Sequence, residues 1–329
     1  MPQICEEDPP SFFDTPQFQQ LSFHVLTCIE VPIHIFATFV ILFKTPPKMK
    51  SVKWVMLNLH FWSSMLDISL SFLAIPYILF PTNAGYTLGA FVWLGASPAY
   101  LTAFVIILVG MTIVSNIVLY ENRYSSLTSS PKVWRKFRKV LIAICYLVAI
   151  TYIVPFVYQV PDQNVATPQI LQKLPSLACF YSGPIFVFTL EPAVLAWVTA
   201  TKLLVEFTAI GVLVTLTFMF ILGQTKHATL SRTTLALQKK FFVALIIQTA
   251  IPVVVVLLPL SCCVYSLARE YFNQALNNIS FLIISSHGLV STIAMLLIHE
   301  PYREATFGCQ KVTPTRKVTR TMSITAVTY

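Results

Sequence analysis

Seven runs of mostly apolar residues divide this chain: Leu21–Phe43, Trp54–Phe80, Ala90–Leu119, Val140–Val160, Ala193–Leu222, Phe241–Val264 and Ala275–Ile298. Each reaches the roughly 20 residues that a bilayer-crossing helix needs. Strict alternation over ten-residue segments, the mark of a membrane barrel, is absent. Backbone groups inside a bilayer must bond within their own segment, so the runs are expected to be helices. The pattern predicts an all-α membrane protein. Residues 1–20 form an N-terminal segment, 21–298 a seven-helix transmembrane domain, and 299–329 a tail.

Charge placement orients the bundle. No Lys or Arg precedes span one, and none lies between spans two and three. Four lie between spans one and two, six between three and four, four between five and six, and five in the tail. The loops after spans four and six carry one each, Lys173 and Arg269, and Lys202 lies within span five. Nineteen of the 22 therefore fall on one side and two on the other. The positive-inside rule then predicts the N-terminus outside and the C-terminus in the cytoplasm. Acidic residues (Glu6, Glu7, Asp8, Asp14) precede the first run, which is also too long for a signal-peptide core.

Composition agrees. Hydrophobic residues make up 56% and charged residues 11%, with mean hydropathy +0.73. That is too few charges to cover a soluble surface. The net charge of +9 sits in short stretches between apolar runs, so it speaks for topology rather than nucleic-acid binding. The longest outside loop, between spans four and five, holds short apolar runs around Ser182-Gly183-Pro184 and reads as a β-hairpin lid over Cys179–Thr189. Pro192 suits the first turn of span five. The Asn278-Ile279-Ser280 sequon lies against span seven and is expected to be unused.

Catalytic signatures and metal-binding Cys/His spacings are missing, so no enzyme, cofactor or metal is expected. Intramembrane ionisable residues carry the information, because each is costly to insert. Asp67 in span two reads either as a hub that repacks between states or as a carboxyl that ties helices together. Glu30 and His34, four apart in span one, favour a local hydrogen-bonded pair over a ligand cavity. Lys202 and Glu206 in span five have the same spacing and read as a neutralised pair or a ligand-recognising charge. His60 and His287 look isolated, and two histidines alone make no metal set.

The inner end of span three reads Leu119-Tyr120-Glu121-Asn122-Arg123-Tyr124. It places an acid and an arginine at the boundary, either as a two-state element or as snorkelling at a helix end. Pro252 and Pro259 are candidate kinks in span six. In His299-Glu300-Pro301-Tyr302-Arg303 the proline is expected to stop span seven, with Ala305-Thr306-Phe307 starting a short helix on the inner leaflet. Cys309 beyond it is either a palmitoylation site or a free thiol.

Longer stretches carry a resemblance. Lys44-Thr-Pro-Pro-Lys-Met-Lys-Ser-Val-Lys-Trp54, continuing Leu57-Asn58-Leu-His-Phe-Trp62, closely resembles the nematode serpentine chemoreceptors of class H. Glu30-Val-Pro-Ile-His34, Ile75-Pro-Tyr77, Glu121-Asn-Arg123, Gln159-Val-Pro-Asp-Gln163 and Pro301-Tyr-Arg303 are similar, so the likeness covers nearly the whole chain. It implies a G-protein-coupled receptor on the cilia of chemosensory neurons, responding to small environmental chemicals. It also implies that Glu121, Asn122 and Arg123 gate G-protein contact where rhodopsin-like receptors carry Asp-Arg-Tyr, with Tyr124 and the Pro301-Tyr302-Arg303 stretch beside them. Glu30, His34, Asn58 and Asp67 would form an intramembrane polar hub, and Lys202, Glu206 and Gln248 a ligand pocket. Asp67 stands nine residues after Asn58, unlike the larger family's five, so no sodium site is assumed. No cysteine lies near the outer end of span three, and the expected bridge is Cys5–Cys179.

The leading expectation is a receptor that binds a small molecule between the outer halves of spans three, five, six and seven and engages a heterotrimeric G protein. A ligand-gated channel or transporter is the alternative, although internal repeats and short broken spans are not evident. An intramembrane enzyme would have only Asp67 with His60 or His287 to work with.

Overall fold

The computed structural model describes residues 11–82, 84–128, 132–173, 184–227 and 232–308. The expected Cys5–Cys179 bridge and the Cys309 site lie outside these residues. Span one is a 29-residue helix, Pro16–Lys44. Its start is set locally: Thr15 Oγ1 accepts the Phe18 N–H at 3.2 Å, and Pro16 occupies the first turn, where no N–H is needed. Span three is Pro98–Thr128, span four Lys132–Thr151, span five Pro192–His227 and span six Arg232–Arg269. Span seven is split into Gln274–Ser285 and His287–Ile298. Six of the seven are long and apolar enough to cross a membrane. The exception is span two, Lys50–Ile68, which is shorter and carries Lys50, Lys53, His60 and Asp67. Its 19 residues still reach about 28 Å, close to a hydrocarbon core.

Span two departs from the expected Trp54–Phe80 helix. The α-helix ends at Ile68, a wider π-helical turn follows over Ser69–Ala74, and Pro76–Ile78 is strand β1. Pro76 disfavours the helical conformation at Ile75, which sits instead at φ 40°. The carbonyls released there are taken up by a neighbour: Ala74 O accepts Gly89 N–H at 3.0 Å and Ile75 O accepts Leu88 N–H at 2.9 Å. Strand β1 pairs antiparallel with β2, Ala84–Thr87, and β2 pairs with β3, Phe186–Val187. The lid therefore differs from the expected one. Phe186–Val187 joins a sheet built on the span-two hairpin, where Tyr77 and Tyr86 pack 5.0 Å apart. Residues 174–183 lie outside the description.

Two further departures concern span three, expected from Ala90 but beginning at Pro98, and the loop after span four. A single helical turn, Ala90–Trp93, precedes span three and is separated from it by Gly95 at φ 73°. A helix at Gln163–Lys173 lies between spans four and five. Gln163 fastens it to β3: Oε1 accepts Val187 N–H at 2.8 Å and Nε2 donates to Val187 O at 3.1 Å. A side-chain amide thus completes a strand edge, and Ala166 and Ile170 pack beneath on Ala84 and Val187.

Spans three and seven are central and span four peripheral: 44% of the apolar window is buried in the former two, against 11% in the latter. The main core, including Ile41, Met56, Leu119, Tyr120, Leu245 and Met295, lies toward the face of the bundle opposite the N-terminus. The tail helix, Glu300–Phe307, also begins differently from expectation. Pro301 does not stop the chain before a later helix but sits in this helix's own first turn, where its missing N–H costs nothing.

Candidate functional site

Asp67 is fully buried at mid-bundle and is held from span seven. The break at Ser286 frees the Gly288 N–H from its helical ladder, and that N–H donates to Asp67 Oδ1 at 3.1 Å. His287 Nδ1 lies 3.0 Å from the same oxygen and 3.0 Å from Ile284 O, so Nδ1 carries the proton and shares it. A Cβ on Gly288 would stand 2.4 Å from Asp67 Oδ2, so this approach requires glycine.

Glu30 and His34 do not form the local pair that their spacing favours. Glu30 Oε1 accepts from Ser71 Oγ in the π-helical turn, and His34 Nε2 faces Asp67 Oδ2 at 3.3 Å. Both side chains reach across to the chain of span two and its π-helical turn. His60 and His287 are not isolated either. His60 Nε2 lies 3.1 Å from His34 O, and its Nδ1 is 3.4 Å from Thr292 Oγ1. Asn58 belongs elsewhere: its Nδ2 donates to Ser115 Oγ at 3.0 Å and Tyr146 Oη at 2.8 Å, joining spans two, three and four. The hub is thus Glu30, His34, His60, Asp67 and His287, from spans one, two and seven. The two histidines looked isolated because their partners are far away in sequence: His60 stands 26 residues from His34 and 232 from Thr292, and His287 bonds Asp67 two thirds of the chain away.

At the opposite face, the acid and the arginine of span three part company. Residues two apart on a helix point to different sides. Glu121 turns toward span four, where Arg138 Nη1 lies 3.1 Å away and Trp134 Nε1 donates at 3.1 Å. Arg123 turns toward span six: Nη2 donates to Gln238 O at 3.1 Å and to Gln238 Oε1, and its guanidinium stacks 4.8 Å from the Phe241 ring. Arg123 is only 6% exposed, and its Nε has no hydrogen-bond partner among the described residues. Asn122 Oδ1 is likewise unsatisfied, and Tyr124 is half-buried.

Tyr302 from the tail helix is fully buried beside Met56, with its hydroxyl 3.0 Å from Thr45 Oγ1. Burial raises its pKa, partly offset by the Thr45 hydrogen bond. Arg303 Nη1 donates to Leu297 O at 3.3 Å. His299 Nε2–H donates to Gln248 Oε1 at 2.9 Å, and burial pushes this imidazole down to about 4. Gln248 is therefore tied to the end of span seven. It stands 21 residues, roughly 31 Å, from Arg269 at the other end of its helix. It does not join Lys202 and Glu206 in one pocket.

Lys202 and Glu206 form an ion pair at 2.7 Å, largely buried. Lys202 Nζ also sits 4.9 Å from the ring of Tyr152, just past span four, and faces Gly110 of span three. The pair therefore looks into the bundle, not at lipid. Span six runs as one helix through Pro252 and Pro259. Asn278 is buried and donates to Phe13 O at 2.8 Å, so the sequon is covered by the N-terminal segment.

Seven apolar spans with buried polar groups at two depths match what comparison with known proteins finds. The family described as serpentine-type 7TM GPCR chemoreceptor Srh matches residues 14–311. The chain is similar to serpentine receptor class H-72 of Caenorhabditis elegans, 27% identical over 314 residues, which covers 92% of this chain and 88% of that protein. The matched residues include the hub, the span-three arginine and the tail helix, and the chain belongs to the Srh family of serpentine seven-transmembrane chemoreceptors.

Proposed function

We propose that this receptor sits in the plasma membrane of chemosensory cells, on their cilia, with its N-terminus outside, and signals to a heterotrimeric G protein. The basic residues gathered on the face that carries Arg123 and Glu300 support the orientation. The ligand is a small environmental chemical bound in the outer half of the bundle, with Lys202, Glu206 and Tyr152 as its polar wall.

The observation that carries the reading is the asymmetric fastening of span three. Glu121 is held by a cation, Arg138, whereas Arg123 is held on span six by the neutral Gln238. A charge bonded to a neutral partner is the weaker hold. Ligand binding that favours an outward position of span six releases Arg123 to the G protein, as a population shift between two packings. Pro252 and Pro259 soften the same helix for that motion.

The test is a ligand screen in cells with a calcium or cyclic-nucleotide reporter. An active compound should signal through the native receptor, and Arg123→Ala should keep binding it while losing the signal. A tag ahead of Met1 should be reachable in intact cells and one after Tyr329 should not. A ligand-gated current in membranes lacking G proteins would replace this reading with the channel alternative.

A further inference from the structure

With neutral rings, one proton assignment keeps every hydrogen bond of His60. His34 O can only accept, so His60 Nε2 donates to it, 3.1 Å away. Thr38 Oγ1, also 3.1 Å from His60 Nε2, donates its own proton to His34 O at 2.8 Å and so accepts as well. His60 Nδ1 is then a bare lone pair, and it must take the Thr292 hydroxyl proton at 3.4 Å. Thr292 has one proton to give, so its oxygen accepts from His34 Nδ1 at 3.3 Å. That leaves His34 Nε2 as a lone pair pointing at a carboxylate oxygen, Asp67 Oδ2, across 3.3 Å.

Two acceptors facing each other in a buried site repel. A third is close by. Glu30 is fully buried, and its Oε2 has no hydrogen-bond partner among the described residues. One donor atom each from Glu30, His34 and Asp67 lies within 4.8 Å of the others. None of the hydrogen-bond or ion-pair partners of these three residues is a Lys or Arg. The spot holds electron pairs from two carboxylates and an imidazole, and His287, the ionisable donor on Asp67, faces the other carboxylate oxygen, Oδ1.

The geometry points to a binding site for a zinc-class divalent metal ion, with Glu30, His34 Nε2 and Asp67 Oδ2 as protein ligands. One nitrogen and two carboxylate oxygens form a donor set for such an ion, with a fourth position left to water. Thr292 supplies the support that metal-bound histidines need, because it accepts the other ring N–H and fixes the tautomer. Ligand atoms around a tetrahedral zinc stand about 3.4 Å apart, so the widest pair must close by roughly 1.4 Å. The three rotatable bonds of Glu30 allow that. His34 and His60 also line a cavity of about 590 Å³ between spans one and two. A bound ion would clamp spans one and two at mid-bundle and neutralise charge that lipid cannot.

The test uses the full receptor, stripped with chelator and placed in nanodiscs, with zinc chloride as the probe. Elemental analysis should find one zinc per receptor, and zinc should raise the melting temperature. Cobalt in its place should give the visible bands of a four-coordinate site. Glu30→Gln, which keeps the acceptor for Ser71, and Thr292→Val should each weaken zinc binding by about tenfold or more. His24→Gln, on the same helix away from the site, should not. A folded native receptor that binds no zinc, or a folded Glu30→Gln variant that binds it as tightly as the native chain, would overturn the proposal. Neither readout involves odorant or G protein, so this outcome is separate from that of the signalling reading.

Discussion

Two of the receptor's buried ionic groups, at different depths, are fastened in opposite ways. Asp67 draws a backbone N–H, the His287 ring N–H and a glycine-sized approach, all from span seven. Arg123 rests on one neutral side chain, a carbonyl and a ring, and its Nε finds no partner among the described residues. The first arrangement is over-determined, since losing one partner leaves the rest to hold the geometry. The second is under-determined, and a single movement of span six dissolves it. A bundle that must keep its fold while one face rearranges needs both. The cluster joining spans one, two and seven is the fixed half, and the span three to span six contact is the half that can open.

The largest expected effect comes from attacking the fixed half. Asp67→Leu strands His287 and the Gly288 N–H, and should cost about 3–5 kcal/mol, read as a collapse of folded receptor at the cell surface. Gly288→Ala drives a methyl into the same carboxylate and should cost about 1–3 kcal/mol in a thermal melt. If either variant melted like the native protein, the contrast between the two halves would disappear.

Attacking the other half should spare the fold. Gln238→Ala should raise signalling without ligand, because Arg123 loses its side-chain acceptor, while ligand affinity moves by no more than about fivefold. Unchanged basal signalling would show that Arg123 is not restrained by this contact.

Acidity sharpens the comparison at the span-seven end. His299 titrates at about 4 in the folded receptor, below the ordinary histidine value of about 6.5. The unfolded chain therefore binds the proton first. Stability contributed by neutral His299 is complete above about pH 6.5 and is lost as pH falls toward 4. Melting of His299→Gln should show a shallower loss over that window. The smallest effect is expected from Tyr302→Phe, which removes the hydroxyl's hydrogen bonds to Thr45 Oγ1 and Met56 Sδ, about 1 kcal/mol, and leaves the buried ring in place.

Particular residues show how much was legible in advance. Pro192 and the apolar run behind it announce span five, because helix starts and lipid-length runs are local properties. Lys202 and Glu206 announce their ion pair for the same reason, being one helical turn apart. Glu30 and His34 have that spacing too, yet they ignore each other. Their choice depended on Ser71 and Asp67, which the chain brings alongside only after span two turns back. The strand at Pro76–Ile78 looked like the end of an apolar helix, since a buried strand and a helix end have the same composition over a few residues.

What the sequence determined by itself is the number of spans, their family and the residues too costly to bury without a reason. Those follow from hydrophobic length and charge, which act over neighbouring residues. The tertiary structure alone decided who meets whom: His287 and Gly288 on Asp67, Gln238 under Arg123, Gln248 at His299. Such pairs are set by helix rotation and by the break at Ser286, and a one-residue turn of any helix swings each side chain by about 100°. No local pattern carries that information.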